Sequence, residues 1–341
     1  MADRHNAIQM LRMHIQLRNG LDIAMITLGA VLMFANTILL IYALLHHTYP
    51  PLRAKNLKLI AVLYFSMLIW YLGTIGTNYN LPGMFKFNDS CILFGSWFRI
   101  LLGIFLYIHV HIVRLYIYIR LFNQSKRVTI KVYVIGFSLY ALFVLAYGLP
   151  TTILQNQLTV RYIPQLDICD YGEAFKNISF SLVWAGWITI LITTYLARNI
   201  NSSFNEFREM LAICIISSIS LTYLTVVHNV VDDYIVHRWA RNTTTLFEYL
   251  TGQSPLFILL RVPVYNCLFR RTEYQREFFR KMHSDGMAAA YGCLSHQHSS
   301  FTRQTTASNT LPTFPTLPLT LAITDTQSPA AVTDAGADNK V

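Results

Sequence analysis

The chain has 341 residues, of which 54% are hydrophobic and 13% charged, about half the charged share of an average soluble domain. That balance excludes an ordinary soluble enzyme, and the apolar residues gather in blocks near the roughly 20 residues that cross a bilayer, so a multi-span membrane protein is expected. The net charge of +10 is spread over short connections between the blocks, so nucleic acid is not an expected partner.

Residues 1–21 hold neither an uninterrupted apolar core nor a small-residue cleavage pattern. They read as an extracellular N-terminal segment rather than a cleaved signal peptide. Seven apolar stretches follow, at 22–46, 57–79, 92–120, 129–150, 176–198, 210–231 and 243–265, each expected as a membrane helix. The expected fold is an all-α seven-transmembrane helix bundle over 22–265, with Pro50, Pro51, Pro150 and Pro164 as helix breaks. In 266–283, Tyr274, Phe278 and Met282 recur every four residues among Arg and Lys, the pattern of an amphipathic interfacial helix. From 284 to 341 the chain is rich in Ser, Thr and Pro and reads as a disordered cytoplasmic tail, in which Ser299, Ser300, Thr302, Thr305 and Thr306 are candidate phosphorylation sites.

Positive residues are retained on the cytoplasmic side of a membrane. Connections 47–58, 120–131, 198–210 and 266–282 hold 14 Lys/Arg and 4 acids, whereas 1–22, 80–90, 151–176 and 232–242 hold 8 of each. The first set is therefore expected inside, which puts the N-terminus outside. Cys91 and Cys169 then both fall on the oxidising side and are expected to pair, tying a long outer loop to a helix end. Sequons at Asn88 and Asn242 are candidate glycosylation sites on the same side; Asn177 stands too close to a span, and Asn123 and Asn201 fall inside. Cys214 reads as packing within the sixth span, and Cys267 and Cys293 as candidate palmitoylation sites.

Ionisable groups inside spans are costly and point to function or to a paired partner. Arg99 and Glu248 both fall in the outer half of the bundle and are expected to pair, either lining a ligand cavity or only joining two helices, with His228 as a possible third member. On the inner side, His109 and His111 are two apart and face different sides of a helix, unlike the i, i+4 placement of a shared metal; no metal and no cofactor is expected. Arg114 and Arg120 lie near the inner boundary, where they either reach the headgroups or meet a partner. The third inner loop places Phe204 and Phe207 on one face and Asn205, Arg208 and Glu209 on another, beside Glu206, a small mixed surface suited to a protein partner. Gly252, Pro255 and Pro263 favour kinks in the seventh span.

Over about residues 20–283 this pattern resembles a seven-helix G-protein-coupled receptor. The third span ends in VRLYIYIRLF rather than Asp-Arg-Tyr, and the seventh has PVYNCLF in place of Asn-Pro-x-x-Tyr. A closer likeness is to the membrane part of fungal and plant receptor proteins fused to a regulator-of-G-protein-signalling domain, in Arg114-Leu115 and in Ser202 to Glu209. The 58 residues after His283 are too few for that regulator domain, so no GTPase-accelerating activity is carried over. The resemblance implies a non-enzymatic plasma-membrane receptor for an unidentified extracellular ligand, contacting a heterotrimeric G protein through Arg114, Arg120, Phe204, Asn205, Glu206 and Arg208. A seven-helix transporter or channel, or a non-signalling remnant of a receptor-regulator fusion, is the alternative. A retinal protein is excluded because no Lys occurs between 177 and 280 to form the Schiff base.

Overall fold

The computed structural model describes residues 20–78, 91–122, 129–154, 159–163, 168–199, 206–231, 234–235 and 237–284. Residues 1–19 of the expected N-terminal segment, Asn88, Pro164, Phe204, Asn205, Cys293 and the tail from 285 onward lie outside them. In chain order the elements are α1 (Gly20–Leu45), α2 (Pro50–Ala54), α3 (Leu57–Thr77), α4 (Ile92–Phe105 continuing through Leu106–Phe122), α5 (Ile130–Ile153), β1 (Val160–Ile163), β2 (Ile168–Tyr171), α6 (Glu173–Leu196), α7 (Glu206–Val230), α8 (Arg238–Phe269) and α9 (Arg271–Ser284).

Six of these helices, α1 and α3 to α7, are long and apolar enough to cross a membrane, which makes this a multi-pass membrane protein. The lipid-like character of the exterior is clearest on α1. Its buried residues Asp22, Gly29, Met33, Asn36, Leu40 and Ala43 form one helical stripe, while Ile23, Val31, Phe34, Ile38 and Ile41 are exposed on the other side. A helix apolar on its exposed face is stable in hydrocarbon, not in water. Depth in the bundle varies: 72% of the most apolar window of α4 is buried but only 11% of that of α5, so α4 is central and α5 peripheral.

The helix α8 inverts the usual pattern. It has 32 residues, about 48 Å at ~1.5 Å per residue, yet it buries Arg241, Thr244, Thr245, Glu248, Thr251 and Gln253. Those polar residues keep it out of the group of strongly apolar helices, and Arg241, Glu248 and Gln253 are tolerated because their partners come from neighbouring helices. Asn36 of α1 donates to the Gln253 side chain at 2.9 Å, and Arg241 holds Asp22 of α1 through two hydrogen bonds of 2.9 Å.

Several boundaries differ from expectation for identifiable reasons. Pro50 and Pro51 do not break the chain but open α2, where a missing N–H costs nothing. Asn56, with φ 54°, makes the reversal into α3 and donates to the Tyr133 hydroxyl at 2.8 Å. Pro150 falls in the last turn of α5, which runs on to Ile153. Residues 266–269, expected in the amphipathic helix, complete α8, and α9 begins at Arg271. The loop expected to be irregular contains an antiparallel hairpin, with Val160 opposite Tyr171 and Tyr162 opposite Cys169.

Close approach of α3 and α4 rests on two glycines. A Cβ on Gly73 would lie 2.5 Å from the backbone nitrogen of Arg99, and one on Gly103 would lie 2.9 Å from the Cα of Trp70. Small residues let membrane helices meet at the backbone. Gly73→Ala is therefore expected to cost about 1–3 kcal/mol, lowering the melting temperature in detergent; Gly20→Ala, which meets nothing within 4 Å, should leave it unchanged.

Candidate functional site

The first four turns of α4 are unusually wide: over Ile92–Phe105 the backbone bonds run from i to i+5. Such turns are rare and shift the phase of the side chains that follow. Here they direct Arg99 to α3 and α8, while Ile100, Ile104 and Ile108 line a cavity between helices. Cys91 at the start of this segment is bonded to Cys169 of β2, with Cα atoms 5.5 Å apart. The bridge fixes the hairpin against α4 and sets Tyr171 over the cavity.

Arg99 and Glu248 form a buried ion pair, as expected from the sequence, with side chains 6% and 3% exposed. The second carboxylate oxygen of Glu248 accepts from the Thr74 hydroxyl. The other terminal nitrogen of Arg99 donates to Thr77 at 3.1 Å and to the Tyr171 hydroxyl at 3.4 Å. Three helices and the hairpin thus converge on one charge pair whose remaining hydrogen-bonding capacity is met by hydroxyls, the condition for a buried pair to persist. Nearby, Tyr234 in the α7–α8 connection is enclosed; burial pushes its phenol pKa up against the opposing pull of Arg99, so it is neutral at cellular pH.

Below this pair lies a cavity of about 110 Å³, walled by α3, α4, α6, α7, α8 and Tyr171. Its wall is chiefly aromatic and aliphatic, including Trp70, Tyr107, Phe175, Phe180 and Trp187, with Arg99, Glu248, Lys176 and His228 as its charged or titratable members. His228 joins this wall, but through ring contacts with Phe180 at 5.2 Å and Tyr234 at 4.0 Å rather than as a third member of the ion pair. Indole N–H groups of Trp184 and Trp187 donate to Thr225 and Ser218, each at 3.0 Å, and lock α6 to α7 behind the cavity.

At the opposite end, the residues expected to meet a partner separate. Arg208 is exposed on the first turn of α7, and Glu206 begins that helix. Arg120 is half-buried. Arg114 departs from expectation: it is 1% exposed, lies over the Tyr118 ring at 5.5 Å, and neither reaches headgroups nor is open to a partner in this conformation. His109 stacks on Tyr140 of α5, and His111 is enclosed beside Tyr107.

Two modification sites are corrected. Asn242 is 3% exposed and its amide donates to the Arg238 carbonyl, because α8 starts five residues before the expected span; a glycan has no room there. The Cys267 thiol is enclosed in the main core, out of reach of an acyl donor. Cys214 packs against the Thr194 hydroxyl at 3.6 Å.

Sequence reasoning missed two further buried pairs. Asp22 and Arg241, 1% and 0% exposed, stood at the edges of the first and seventh expected spans. Lys55 and Glu209 meet at 2.5 Å, both under 8% exposed, joining the α2–α3 turn to the start of α7. A signal existed for each: an acid and a base placed one turn inside or outside an apolar block, with no same-helix partner at i±4.

The fold and site define a multi-pass helical membrane protein with a polar-capped apolar cavity. In comparison with known proteins, the chain matches no protein-family model and no curated protein.

Proposed function

We propose that the chain is a seven-helix plasma-membrane receptor that binds a small ligand in the cavity beneath the hairpin and signals to a heterotrimeric G protein from the opposite end. The observation that carries this reading is the cavity itself. Five helices wall it and three of them meet on the Arg99–Glu248 pair, so a ligand that favours one arrangement of the pair biases helices that run to the other face. The helix α8 is the seventh span, its buried charges Arg241 and Glu248 paired inside the bundle. The hairpin faces outward, in keeping with its disulfide and with the excess of Lys and Arg on the other side. Glu206 and Arg208 at the start of α7 supply the contact for the G protein, and Arg114 joins it only after the helices move.

Two experiments test this. An epitope tag inserted at 155–158 is expected to be stained on intact cells and a C-terminal tag only after permeabilisation; staining of both without permeabilisation contradicts seven spans. In lipid discs, the protein is expected to raise GTPγS uptake by the heterotrimer of the same organism severalfold over the heterotrimer alone. Equal uptake in both samples contradicts signalling.

A further inference from the structure

Resting on that reading, we infer that the ligand is a small apolar carboxylic acid whose carboxylate is held by Lys176. The cavity wall carries three full charges: Arg99, Lys176 and Glu248. Arg99 and Glu248 neutralise each other, and their remaining atoms are engaged by Thr74, Thr77 and Tyr171. Lys176 has no carboxylate partner among the described residues. Its ammonium donates to the His228 backbone carbonyl at 3.0 Å, which leaves further N–H donors for a guest.

Lys176 also stands in the first turn of α6, where the helix dipole disfavours a cation. An anion bound there relieves both that repulsion and the partial desolvation of the ammonium. An amine would meet the uncompensated ammonium of Lys176 instead. The rest of the wall, Trp70, Ile104, Phe180 and Trp187 among it, offers apolar contact and excludes a strongly hydrated anion such as phosphate. A volume of about 110 Å³ is smaller than the roughly 150 Å³ of a dry cavity that holds benzene, so it suits a short chain rather than a ring.

The test uses butanoate, butanamide and butylamine as probes, with calorimetric titration of the full chain in lipid discs at pH 7. The carboxylate is expected to bind at least about tenfold more tightly than the isosteric amide, and the amine more weakly than either. In Lys176→Met the preference for carboxylate over amide should fall to under about twofold while amide affinity is kept; Lys176→Arg, which keeps the charge, should retain the preference. Equal binding of carboxylate and amide in wild type, or a preference that survives Lys176→Met, overturns the assignment of ligand class and leaves the cavity reading standing. Failure of all three probes to bind a folded protein overturns both.

Discussion

Glu248→Ala is expected to destabilise the protein by about 3–5 kcal/mol, because it strands Arg99 in the cavity wall without a counter-charge. Arg99 is 5% exposed, and the Thr77 and Tyr171 hydroxyls that remain to it are neutral. The double variant Arg99→Met, Glu248→Met should be less destabilised than either single substitution, since a buried pair exchanged for apolar side chains leaves no orphaned charge. Thermal unfolding of Arg99→Met, Glu248→Met and the double variant in detergent measures this. A double variant as unstable as the sum of the singles would mean that the two residues act independently, and the pair would not be the hub described above.

The second large effect concerns the hairpin. Cys91 and Cys169 are 78 residues apart, and opening a loop of that length returns about 4–5 kcal/mol of chain entropy to the unfolded state. Cys91→Ser with Cys169→Ser is expected to lower the melting temperature by that equivalent. A reducing agent should do the same to wild type and nothing to the double variant. Because Tyr171 is carried by the same hairpin, lines the cavity and accepts from Arg99 at 3.4 Å, its loss of position should also weaken probe binding in the cavity.

How far the sequence disclosed this molecule varies from element to element. Helices α1 and α3 to α7 were legible because lipid-facing residues such as Ile23, Phe34, Leu139 and Leu142 are apolar where a soluble protein would be polar. The full length of α8 was not, since its first turns, with Arg238, Arg241 and Asn242, are polar and read as loop. Burial by other helices, not by lipid, is what makes those residues acceptable there. Arg99 and Glu248 stood out as charges inside apolar blocks and do meet. Arg241 and Asp22 form an equally buried pair but sat at block edges, where charge is ordinary. Lys176 had the same disguise: only the structure brings it to the cavity wall, a turn inside α6. The wide turns of α4 leave no mark in composition, because ILFGSWFRILLGIF has the hydropathy of any membrane helix.

The central claim, that this bundle couples an outer cavity to a G protein, is tested most directly by binding nucleotide-free Gα from the same organism to the purified protein in lipid discs. The account predicts tight binding that GTP abolishes and that Glu206→Ala with Arg208→Ala weakens by about tenfold or more, without change in melting temperature, since Arg208 is exposed. No binding by a folded protein, in the presence or absence of butanoate, or binding indifferent to GTP and to the double variant, would contradict it.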